Sequence, residues 1–67
     1  MSEPTNLQRA VRAELDLMAF RRLTDCDWQD CLGDLLCDLM HWADASHFDF
    51  DAALDRARMH YNAEIAE

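Results

Sequence analysis

Cys37 and His41 stand four residues apart. On a helix that interval puts a thiol and an imidazole on one face, where they could share a zinc ion. Asp34, Asp38 or Asp44 would be a third donor, and His47 follows closely. The chain has no doubled C-x-x-C or H-x-x-x-H spacing, so Cys37 and His41 are weak metal candidates. The same two residue types suggest nucleophilic catalysis. Nothing beside the cysteines marks an activated thiol, and no glycine-rich phosphate loop is present.

The other chemistry on offer is charge. Residues 25 to 51 hold eight aspartates and neither lysine nor arginine. Asp30, Asp34 and Asp38 repeat every four residues, and Asp44 and His41 fall on the same side of a helix. Like charges at that interval cost a helix a few tenths of a kcal/mol per pair, so helix stability does not explain the row. An aspartate face of this kind suits a partner rich in arginine or lysine. It also suggests a mimic of nucleic acid. Four residues advance a helix by about 6 Å, while one DNA strand carries a charge about every 3.4 Å of axis. A mimic would therefore need Asp27, Asp44, Asp49 and Asp51 as well. The bland alternative is a solvated face that keeps a small apolar-rich protein in solution.

Carboxylates on an exposed face titrate normally and make poor acid–base catalysts. The E-E-x-x-E and E-x-x-D patterns with which all-α pyrophosphohydrolases hold magnesium are absent. A chain of 67 residues is also expected to struggle to enclose a pocket of roughly 300 Å3 or more. The expectation is a protein that is not an enzyme and carries no cofactor.

The formal net charge of −8 is unevenly spread. Residues 1 to 24 set four arginines against Glu3, Glu14 and Asp16, a sum of +1. Residues 25 to 49 sum to −7 and residues 50 to 67 to −2. Such a surface repels phosphate backbones and anionic membranes and attracts basic proteins. Direct nucleic-acid binding and membrane binding are not expected. Three cysteines without framework spacing, and no signal-like N-terminus, indicate a reduced, cytoplasmic chain.

Positioning these residues falls to helices. One glycine and one proline interrupt the chain, so sheets are disfavoured. The expected fold is all-α: a small three-helix bundle with helices over about 5–22, 26–45 and 50–65. Residues 1–67 form one domain, and residues 1–4 a flexible N-terminus. Thr5 and Gln8 have capping-box spacing. Leu7, Val11, Leu15 and Met18 then supply a core face. In helix 2, Trp28, Cys31, Leu32, Leu35, Leu36, Leu39, Trp42 and Ala43 form a broad buried face. Thr24, Asp25 and Asp27 are its candidate N-caps, and Asp49 or Asp51 caps helix 3. Gly33 costs helix 2 about 1 kcal/mol unless a neighbouring helix needs the space.

Helix 1 carries a second apolar row: Ala10, Ala13, Leu17 and Phe20. A chain of this size buries only about 60% of its unfolded surface. The row is therefore read as a self-association surface, and a homodimer is expected.

The stretch Asp34-Leu-Leu-Cys-Asp-Leu-Met-His-Trp-Ala-Asp44, followed by Phe50-Asp-Ala-Ala-Leu-Asp-Arg-Ala-Arg-Met-His-Tyr61, resembles a family of short uncharacterised bacterial proteins. There D-L-x-H-W-x-D precedes F-D-x-A-L-x-x-A-x-x-H-Y. The resemblance covers residues 34 to 64 and implies no particular activity. Proteins of that kind are often encoded on mobile elements, which implies an inhibitory or accessory role.

Together these readings give a small acidic interaction protein. It would present Asp30, Asp34, Asp38, His41 and Asp44 to a basic protein. The alternatives are a DNA-mimic inhibitor of a nucleic-acid enzyme, of the anti-restriction or anti-CRISPR kind, and a small metal-binding protein.

Overall fold

Capping groups set the helix boundaries. The computed structural model describes residues 3–66 and contains α1 (Asn6–Thr24), α2 (Trp28–Ser46) and α3 (Phe50–Ile65). No strand occurs among the described residues. Of the expected flexible N-terminus, Met1 and Ser2 lie outside the described residues, and Glu3 and Pro4 precede the Thr5 cap of α1 without regular structure.

The capping box of α1 forms as its spacing requires. The Thr5 hydroxyl accepts the Gln8 N–H at 3.1 Å, and the Gln8 side-chain Oε1 accepts the Thr5 N–H at 2.8 Å. The other end of α1 departs from expectation. Asp25 is left-handed, with φ 54°, and its N–H donates to the Arg21 carbonyl at 2.7 Å. It terminates α1 instead of opening α2, a place aspartate tolerates because it visits positive φ more readily than most side chains. Thr24 is likewise no cap for α2. It is the last residue of α1, and its hydroxyl donates back to the Phe20 carbonyl at 2.9 Å. Asp27 immediately precedes α2, and its backbone carbonyl accepts the Asp30 and Cys31 N–H groups at 2.9 and 3.0 Å.

The α2 to α3 turn is built by the backbone of α2. His47 adopts φ 62°. The Phe48 N–H donates to the Ala43 carbonyl at 2.8 Å, and the His47 N–H to the Asp44 carbonyl at 3.4 Å. This is a Schellman ending, which places one residue in the left-handed region and brings the following side chain back over the last turn. Phe48 accordingly stacks on Trp42, with ring centroids 5.2 Å apart and planes at 12°. Asp49, and not Asp51, then caps α3 through its side chain and the Ala52 N–H at 3.0 Å.

The chain forms two compact units, Met1–Leu36 and Cys37–Glu67, and α2 contributes to both. In the first, Cys31 is buried and Leu17, Phe20, Cys26 and Leu35 are half-buried. Arg21 lies over the Trp28 ring, 5.2 Å from its centroid, a cation–π contact across the α1 to α2 turn. In the second, Ala43 is buried and Phe50 is half-buried. The broad core expected of α2 is therefore only partly realised: Trp28, Leu32, Leu36, Leu39 and Trp42 stay exposed. The expected core face of α1 also lies in solvent, with Leu7 75% and Leu15 61% exposed.

Gly33 does not serve a close approach. A Cβ built there meets nothing within 4 Å, and its φ is negative. Gly33→Ala is expected to raise stability by about 1 kcal/mol, because alanine gains in helix propensity and loses nothing in packing. Urea denaturation at matched protein concentration measures it. A loss of stability would mean that a partner helix approaches this position.

Candidate functional site

Helix α2 carries the acidic face. Asp30, Asp34, Asp38, His41 and Asp44 are all exposed, and their spacing places them on one side of that helix. Among the described residues none of these four carboxylates has a hydrogen bond or ion pair through its side chain. Their local energetics differ. Asp30 lies in the first turn of α2, where the positive end of the helix dipole favours a carboxylate. Asp34 and Asp38 sit mid-helix at the repelling interval of four. Asp44 lies in the last turn, which contains no basic residue and where the dipole disfavours negative charge. Asp30 thus has a structural explanation, and Asp34, Asp38 and Asp44 do not.

Cys37 is exposed and shares this face with His41. Among the described residues no three His, Cys, Asp or Glu side chains converge to hold a metal ion. The other two thiols lie at the α1 to α2 turn. The Thr24 hydroxyl meets the Cys26 sulfur at 3.2 Å, and the Cys31 thiol donates to the Cys26 carbonyl at 3.6 Å. Burial, with the neighbouring Cys26 adding to it, pushes the Cys31 thiol up from 9.0 to about 11. At neutral pH it is an unreactive packing group.

That displacement predicts alkaline sensitivity. Unfolded, Cys31 loses its proton near pH 9; folded, it holds the proton to about pH 11. Between those values the unfolded chain binds fewer protons, so stability falls as pH rises. The thiol's contribution is fully present below pH 9. Thermal melts at pH 8 and pH 10.5 should show this loss, and Cys31→Ala should reduce it. Equal pH dependence in both proteins would refute the assignment.

Sequence reasoning missed the α2 to α3 region. Leu39, Trp42, Ala43, Phe48, Asp49, Phe50, Ala52, Ala53 and Arg56 line a groove of about 410 Å3 within the second unit. The groove is half-open, not an enclosed pocket, and the Schellman turn, which brings Phe48 back over Trp42 near the end of α2, forms part of it. The available signal was the six-residue interval from Trp42 to Phe48, which matches the hydrophobic contact of that ending.

The two apolar rows of α1 are placed differently. In the row Ala10, Ala13, Leu17 and Phe20, the alanines are exposed, while Leu17 and Phe20 are half-buried. The row Leu7, Val11, Leu15 and Met18 is exposed throughout. No helix is long and apolar enough to cross a membrane among the described residues. No protein-family model matches the chain, and no curated protein or solved structure matches it.

Proposed function

We propose that this chain is a small acidic interaction protein that docks Asp34, Asp38 and Asp44, flanked by Asp30 and His41, onto a basic surface of another protein. One observation carries the reading. Asp34, Asp38 and Asp44 are exposed and unpaired, and each sits where a carboxylate disfavours its own helix. A cationic partner would relieve all three positions at once. A solubilising role would be met equally by carboxylates at neutral positions.

The protein acts as a homodimer in this reading. Sixteen large apolar side chains are exposed among the described residues, against two buried apolar residues, Cys31 and Ala43. A second copy is best accommodated on α1. Residues 1 to 24 sum to +1 in a chain of −8, so copies meeting there repel least. Leu7, Val11, Leu15 and Met18 supply the stripe, in place of the half-buried Leu17 and Phe20. Each side chain so covered contributes about 1.5–3 kcal/mol when fully buried.

The docking reading is tested by paired affinity capture from the source organism, with wild type and Asp34→Asn/Asp38→Asn as baits. A basic protein held by wild type and released from the variant supports it. The same protein held equally by both baits refutes it.

A further inference from the structure

We propose that the groove of the second unit is a binding site for a small apolar carboxylic acid. The stacked rings of Trp42 and Phe48 would hold its apolar body, and Arg56 its carboxylate.

The groove wall is mainly apolar. Leu39, Trp42, Ala43, Phe48 and Phe50 line it, and Ala52 and Ala53 keep the α3 side low. Its volume of about 410 Å3 lies in the range of small-molecule sites. Trp42 and Phe48 lie nearly parallel and exposed, so their outer faces offer a ready stacking surface to a planar or aliphatic body.

Two charged groups line the groove, and they are not equivalent. The Asp49 carboxylate accepts the Ala52 N–H at 3.0 Å. It is committed to the cap, and its charge is set against the positive end of the α3 dipole. Arg56 lies about two turns further along α3 and has no hydrogen bond or ion pair among the described residues. Its guanidinium is the open charge of the site, and its fork of donors fits a carboxylate in bidentate fashion. The chain's overall charge of −8 does not prevent this. At physiological salt, exposed charges beyond about 8 Å are largely screened, so the local cation decides.

The experiment is a titration of the ¹⁵N-labelled full chain with 1-naphthylacetate, alongside its neutral alcohol counterpart, 2-(1-naphthyl)ethanol. The Trp42 indole and Arg56 side-chain N–H signals should move saturably with the acid, while the Trp28 indole in the other unit stays in place. The alcohol should bind at least about tenfold more weakly, the scale expected for losing a charge-assisted hydrogen bond. Arg56→Gln, at an exposed position, should reduce the acid to the alcohol's level while leaving the remaining amide spectrum unchanged. Equal affinity for acid and alcohol, no response of Trp42, or wild-type affinity in Arg56→Gln would each overturn the proposal. So would Trp42 shifts that follow protein concentration and ignore the acid, because a second copy would then occupy the groove.

Discussion

Leu15→Glu is expected to halve the mass in solution and to lower the melting temperature by more than about 10 °C. In an isolated chain the substitution should do little. Leu15 is 61% exposed, and surface changes usually stay within about 0.5 kcal/mol. In a dimer joined along Leu7, Val11, Leu15 and Met18 it places a carboxylate in the middle of an apolar contact, opposite its own symmetry mate or a near neighbour. An unpaired charge there costs several kcal/mol. For a domain of this length each kcal/mol moves the melting temperature by roughly 4–8 °C. Sedimentation equilibrium and thermal circular dichroism over a concentration series read both effects. Wild type should also melt higher as it is concentrated, because a dimer's stability depends on protomer concentration. Leu17→Glu separates the two rows of α1. Leu17 is half-buried inside the first unit, so that change should unfold the chain locally at every concentration. A wild-type mass of one chain, with a melting temperature independent of concentration, would remove the dimer.

Asp34→Asn/Asp38→Asn is expected to weaken the basic partner by about tenfold, or about 1.4 kcal/mol, while stabilising the protein alone. Removing the two charges relieves two repulsions, Asp30 with Asp34 and Asp34 with Asp38, each worth about 0.2–0.5 kcal/mol. A gain of about 0.5 kcal/mol in urea denaturation is the expected sum. Opposite movements of stability and binding are the signature of residues kept for recognition. Glutamate at both positions keeps the charge and should retain most of the binding. If the captured partner is a nucleic-acid enzyme and DNA competes for the same surface, the aspartates act as phosphate surrogates, and the competition should weaken steeply with salt.

The features legible in the sequence were those decided within a few residues. Thr5 and Gln8 cap α1 through groups three positions apart, and Asp49 caps α3 in the same way. The three helices follow from composition and periodicity. Burial was not legible, because periodicity shows that apolar rows exist without saying which one meets a neighbour. Helix α1 has two such rows, and the structure turns Leu17 and Phe20 inward while leaving Leu7, Val11, Leu15 and Met18 outside. The two left-handed residues were also hidden. A glycine would have announced a helix ending, but Asp25 and His47 do so with side chains that occur there less often. Missing His47 meant missing the return of Phe48 over Trp42, and with it the groove.

For the acidic face, the direct measurement is a calorimetric titration of the captured partner with wild type and with Asp34→Asn/Asp38→Asn, at about 150 mM salt. Binding about tenfold weaker in the variant, from a protein at least as stable as wild type, is the predicted result. Unchanged affinity would contradict it, and would leave Asp34 and Asp38 as solvated charges.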